Sequence, residues 1–140
     1  MHDFFTMVSV IRTCTQLGAL QQGMWIHDYI TRSGIELHVF VGTSLIDMYA
    51  ECRSIDIVFV VLEKILERDV VSWIAMIIGY VLNENANEAL IFLGRMKQAS
   101  HIKLDSVTMV NVLSTCAQLT CNGLSGSMVI ILEHDLCLIL

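Results

Sequence analysis

Apolar residues recur along this chain at helical spacing, in blocks that come in pairs. In one block Val41, Leu45, Met48 and Tyr49 fall at i, i+4, i+7 and i+8. A polar stretch from Glu51 to Ser54 follows, and a second stripe runs through Ile55, Phe59, Leu62 and Leu66. The next block has the same plan. Trp73, Met76, Ile77, Tyr80 and Val81 make one face, Asn83 to Asn85 turns the chain, and Ala86, Ala89, Leu90, Leu93 and Met96 make another. Two stripes separated by a short polar join predict an antiparallel helix pair, and the pattern places such joins near residues 18–20, 52–54, 83–86 and 120–124. The strand-like run Ile57 to Leu62 reads as buried helix because this hairpin pattern brackets it.

Boundary signals support the pairing. Ser54 precedes Ile55-Asp56, Asn85 and Glu88 have capping-box spacing, and Gly34 follows the stripe that ends near Thr31. Gly79 and Gly94 lie inside predicted helices, where each costs about 1 kcal/mol relative to alanine. Helix-to-helix contact must therefore supply the stability, and Ala50 and Ala89 stand where two helices can approach closely.

The blocks are copies of one unit. Thr6-Met7-Val8, Val10, Thr13-Cys14 and Gln16-Leu17 return as Thr108-Met109-Val110, Val112, Thr115-Cys116 and Gln118-Leu119. Val39-Phe40-Val41 and Val70-Val71-Ser72-Trp73 open two further units between these copies. Four units result, covering residues 4–38, 39–69, 70–105 and 106–140. Their lengths lie in the range of helical solenoids, so the predicted fold class is all-α, an α-α superhelix of about four helix hairpins. In such a fold, function belongs to a surface built by stacking units.

Composition narrows the classes. The chain is 55% hydrophobic with a mean hydropathy of +0.66. The longest apolar candidate, Val70 to Leu82, is broken by Ser72 and Gly79 and falls short of the ~18 residues a membrane span needs. The apolar excess therefore reads as surface that faces neighbouring repeats. Eight basic residues against fourteen acids give a net charge of -6, which excludes nonspecific nucleic-acid binding through charge. Five cysteines with no preceding secretory signal argue against a disulfide framework and for a reducing compartment.

Candidate chemistry is sparse. Cys116, Cys121, His134 and Cys137 have a spacing that superficially resembles a zinc site, but Cys116 repeats Cys14, which lacks such companions. Small buried thiols explain both, and neither metal nor cofactor is expected. The chain holds no H-x-E with C-x-x-C deaminase metal site and no phosphate-binding glycine loop, so no enzymatic activity is expected. Trp25 and Trp73 lie on helical stripes and read as core rather than as stacking platforms.

Three phrases carry a family resemblance. Gly18-Ala19-Leu20-Gln21-Gln22-Gly23-Met24-Trp25-Ile26-His27, Ser44-Leu45-Ile46-Asp47-Met48-Tyr49-Ala50-Glu51-Cys52, and Glu67-Arg68-Asp69-Val70-Val71-Ser72-Trp73 followed by Gly79-Tyr80 are similar to a plant pentatricopeptide repeat protein. The likeness covers about residues 3 to 119, and the unit lengths resemble the PLS-type alternation in the order long, short, standard, long. The resemblance implies a solenoid whose inner groove binds single-stranded RNA in mitochondria or chloroplasts, for transcript processing or cytidine-to-uridine editing. Organellar RNA-editing cofactor proteins are implied as partners. Hydrogen-bonding side chains at fixed places on successive first helices can meet the edges of unstacked bases, about one per unit.

In that family the fifth and last residues of each unit do the reading. The implied pairs here are Thr43 with Asp69, associated with guanine, Ile74 with Asp105, and Val8 with His38. Isoleucine at position 74, where the family usually carries asparagine, offers a base no hydrogen bond. Other departures are Leu66 and Leu104 at common proline positions, Arg53 at a loop glycine, and Ile78 at a usually polar position. Register with the first unit vanishes after Leu119, as a reading-frame error would produce. Two other readings stand beside RNA recognition: a decayed or truncated fragment, and a helical scaffold that binds a protein.

Overall fold

The computed structural model describes residues 3–98. The fourth unit, the join at 120–124, Leu104, Asp105 and the cysteines from Cys116 onward lie outside the described residues. Within them are six α-helices: α1 Phe4–Leu17, α2 Leu20–Arg32, α3 Val39–Glu51, α4 Val58–Lys64, α5 Val70–Leu82 and α6 Ala86–Gln98. A short 3-10 turn, Ile55–Ile57, leads into α4. There is no strand among the described residues, and none of their helices is long and apolar enough to cross a membrane.

Each odd-numbered helix turns back into the following even-numbered one through the same backbone closure. Gly18, Arg53 and Glu84 adopt positive φ, at 64°, 64° and 61°. The N–H after each donates to a carbonyl five residues back, Ala19 to Cys14, Ser54 to Tyr49 and Asn85 to Tyr80, all at 2.8 Å. Orphan carbonyls at the ends of α1, α3 and α5 are thereby satisfied. Only the first of these turns carries glycine, and left-handed backbone costs an L-residue about 1–2 kcal/mol. Arg53 offsets part of that cost by donating from Nη1 to the Leu82 carbonyl at 3.2 Å, which also ties its turn to the next hairpin.

The hairpins stack so that α1 packs on α3 and α3 on α5, with the even-numbered helices completing a second layer. Leu45, Met48, Met76 and Met96 are fully buried in one continuous core, joined by Ile11, Ile46 and Ile77. The predicted stripes Val41, Leu45, Met48, Tyr49 and Trp73, Met76, Ile77, Tyr80, Val81 are all buried. Gly79 faces Ala50 so closely that a Cβ on the glycine would stand 2.8 Å from the alanine Cβ. Polar links accompany this packing. Asn83 Nδ2 donates to the carbonyls of Ala50 at 3.0 Å and Gly79 at 2.8 Å, and His27 Nδ1 lies 2.8 Å from the Tyr49 hydroxyl.

Three sequence expectations need correction. Leu66 does not continue the stripe of its helix; it is exposed, and Ile65 is buried with Val58, Val61 and Leu62. α4 ends at Lys64, and the extended backbone of Ile65, at ψ 125°, carries Leu66 past the helix and off its stripe. Ser54 makes no side-chain cap, and the full capping box is instead Asp69 with Ser72. Trp25 is not core but 62% exposed. It lies on the open side of the first hairpin with Val10, which is 43% exposed, whereas Leu45 and Met76, at the same seventh position of α3 and α5, are fully buried. Periodicity says which face a residue is on, not whether another hairpin covers that face.

The two interior glycines separate packing from propensity. Gly94 has open space where a Cβ would go, so Gly94→Ala should stabilise by about 1 kcal/mol in urea denaturation. Gly79→Ala should instead destabilise by about 1–2 kcal/mol, because the overlap with Ala50 outweighs the gain in helix propensity.

Loss of hydration lowers the His27 pKa from its ordinary 6.5, with Asp28 pulling it partly back. Burial pushes the Tyr49 hydroxyl up to about 12. The unfolded chain therefore takes up the imidazole proton more readily than the folded one, so stability is lost as the pH falls through about 6.5. Urea midpoints should decrease from about pH 7 to about pH 5, and His27→Gln should flatten that decrease.

Candidate functional site

The first residues of α1, α3 and α5 are Phe4, Val39 and Val70, each preceded by a capping residue, Asp3, His38 or Asp69. Stacking in common register brings equivalent positions of these helices onto one wall. A cavity of about 770 Å³ opens there, lined by Phe4, Phe5, Val8 and Arg12 from α1. Across from them stand His38, Val39, Phe40, Thr43, Ser44 and Asp47, and Asp69 and Val71 close the far side. On α1 and α3 the second, fifth and ninth residues line the cavity, whereas α5 contributes its cap and its second residue.

Thr43 is the unusual polar group. Thr13, Thr15, Thr31 and Ser44 all donate their hydroxyl to the carbonyl four residues back, at 2.8 to 3.0 Å. Thr43 makes no such bond, and its Oγ1 is covered with no hydrogen-bond partner among the described residues. An unsatisfied buried hydroxyl costs about 1–3 kcal/mol.

Asp69 closes the other side through its own cap. Its Oδ1 accepts from the Ser72 N–H at 2.9 Å, while the Ser72 hydroxyl pairs with the Asp69 backbone, completing the box. Capping fixes the carboxylate at the α5 N-terminus. One oxygen carries the cap, leaving Oδ2 to meet a donor in the cavity.

The remaining implied readers are placed differently. His38 spends its ring locally: Nδ1 accepts from the Phe40 N–H at 3.4 Å, and the imidazole stacks on Phe4 and Phe40 at 4.7 and 5.4 Å between centroids. Val8 lines the cavity as an apolar wall. Ile74 is half-buried, packs on the core and does not line the cavity. Asp105 lies outside the described residues. The structure therefore brings Val8, His38, Thr43 and Asp69 together and leaves Ile74 apart.

Phe5, Phe40 and Val71 were missed by sequence reasoning. They are the second residues of α1, α3 and α5, and their exposures are 86%, 68% and 60%. Aligning the units position by position reveals an apolar residue recurring off the buried stripe, which is the available signal. Asp47 was also missed. Although its side chain reaches solvent, partial burial between α1 and α3 raises its carboxyl pKa, Glu51 adds to the rise and Arg12 opposes it.

Antiparallel hairpins stacked in register define an α-helical repeat protein, and comparison with known proteins specifies which kind. The PPR repeat family model matches residues 71–101. A putative pentatricopeptide repeat-containing protein of Arabidopsis thaliana is 43% identical over 116 residues, covering 82% of this chain and 23% of the relative. A chloroplastic pentatricopeptide repeat-containing protein of the same plant is 36% identical over 113 residues, 81% of this chain and 25% of the relative. A mitochondrial one is 43% identical over 112 residues, 80% and 16%. The crystal structure of the pentatricopeptide repeat protein PPR10 from maize matches with a TM-score of 0.70 at 23% identity, covering 94% of this chain and 18% of that one. The chain belongs to the pentatricopeptide repeat family. It spans a quarter or less of the length of these relatives.

The contribution of the Asp69 cap is measurable by substitution. Asp69→Ala should lower stability by about 1 kcal/mol through loss of the cap, and Asp69→Asn, a comparable cap, should leave thermal stability near that of the parent.

Proposed function

We propose that this chain binds single-stranded RNA along the groove formed by α1, α3 and α5, with a guanine facing Thr43 and Asp69. The reading rests on the unpartnered Thr43 hydroxyl, set in the same cavity as a carboxylate held by its cap. A carboxylate suits the adjacent N–H donors of a guanine edge, and a hydroxyl can donate or accept beside it. Exposed Phe40 and Val71 flank the position with apolar surface on which a base can lie. The net charge of -6 disfavours binding by charge alone, in keeping with an edge-reading groove.

The proposed units run 4–38, 39–69, 70–105 and 106–140. In this reading the unit containing Thr43 is the informative one. Ile74 cannot form a reading pair with Asp105, and Val8 with the occupied His38 contributes shape rather than hydrogen bonds. The chain acts as a non-catalytic reader in organellar RNA processing, cytidine-to-uridine editing included, alongside editing cofactor proteins. Family membership and the chloroplastic and mitochondrial names of relatives support that setting.

The test is binding of short single-stranded RNAs that differ at one base. The unsubstituted chain should prefer guanine at that base and bind single strands better than duplex. Thr43→Val keeps the shape and removes the hydroxyl, so it should reduce the guanine preference about fivefold, the equivalent of ~1 kcal/mol for one hydrogen bond. The same substitution should stabilise the fold, since it removes an unsatisfied polar group. Equal binding of all four bases, or of duplex and single strand, would leave a fragment that has lost RNA recognition as the better reading.

A further inference from the structure

The ninth residues of α1 and α3, one turn beyond Val8 and Thr43, are Arg12 and Asp47, and both line the cavity. Arg12 is the sole lysine or arginine among the lining residues, which also include the acids Asp47 and Asp69. Its side chain is exposed and makes no hydrogen bond or ion pair with any described residue. A nucleic-acid strand whose base edge enters this cavity brings a phosphodiester with it. Two carboxylates repel that charge, and one guanidinium, planar and with five donors, is suited to accept it. α1 packs directly on α3, and both ninth residues line the cavity between these hairpins, close enough for the Arg12 charge to act on the Asp47 carboxyl.

Resting on the RNA reading above, we propose that Arg12 grips a phosphodiester of the bound strand, while Asp47 keeps the guanidinium in the groove before the strand arrives and yields it on binding. Arg12 then supplies affinity without base information, and Thr43 with Asp69 supplies base information. The raised carboxyl pKa of Asp47, which Arg12 pulls downward, agrees with two charges that feel each other short of a closed ion pair. Ile78 occupies the ninth position of α5, so among the described residues the device is confined to the seam between the first two hairpins.

The experiment is a salt titration of affinity for two short single-stranded RNAs, identical except for guanine or adenine at the tested base. Arg12→Gln should weaken both RNAs about tenfold at low salt, the loss expected for hydrogen bonds to a charged group. It should also reduce the slope of log affinity against log salt by about 0.7, the value for one phosphate contact on a single strand. The ratio between guanine and adenine should be unchanged, and Arg12→Lys should retain the slope. Asp47→Asn should tighten binding of both RNAs in the parent but not in the Arg12→Gln background, the coupling that distinguishes a restraint on Arg12 from simple repulsion. An unaltered slope in Arg12→Gln overturns the proposal, as does a change in base preference. Thermal melting of the free variants separates these effects from misfolding. If the unsubstituted chain binds neither RNA, the RNA reading falls and the inference with it; if it binds with a guanine preference and Arg12→Gln changes nothing, only the inference falls.

Discussion

The approach of Gly79 to Ala50 sets the spacing on which the groove depends. With hydrogen in place of a side chain, α5 comes close enough to α3 for Asn83 to bond the Ala50 carbonyl and for Arg53 to reach Leu82. That separation puts the N-cap of α5 at the same cavity as the fifth residue of α3. Were the helices held apart by another methyl layer, Asp69 and Thr43 would no longer share one small pocket. The site is thus a by-product of how closely two helices pack at their opposite ends.

Capping ties the same residues to folding. Asp69 and His38, the proposed last residues of their units, each cap the helix that follows, with side-chain bonds to its backbone. A position that must satisfy helix-end donors is limited to a few polar residues, and those residues carry the donors and acceptors that the proposed base reading requires. His38 shows the limit of this sharing: once its ring caps the helix and stacks between Phe4 and Phe40, little of it is left to read. Thr43 is the converse case, a hydroxyl that gives up its usual bond to the backbone at a cost in stability.

Most of the fold was legible from periodicity and turn chemistry. Apolar stripes located the helices of the second and third hairpins, and the positive φ at Arg53 could be anticipated from the missing loop glycine. What escaped were features that depend on neighbours. Trp25 obeys its helix stripe, yet no described hairpin covers it; Leu66 continues a stripe in sequence, but its helix has already ended at Lys64. The site was half legible. Thr43 and Asp69 came from family resemblance, whereas the exposed second residues and the pair Arg12 and Asp47 required knowing which helices lie side by side. No periodicity within a single helix encodes that.

The different surroundings of the two tryptophans have a spectroscopic consequence. Trp73 is 7% exposed within the α5 packing, and Trp25 is 62% exposed on the open side of the first hairpin. Indole emission shifts with the polarity around the ring, so the chain carries one tryptophan in a dry setting and one in a wet setting, with no other tryptophan to obscure them. The blue component follows the integrity of the stacked hairpins. The red component follows whatever comes to lie against the exposed first hairpin, so folding and association can be watched separately in one unlabelled sample.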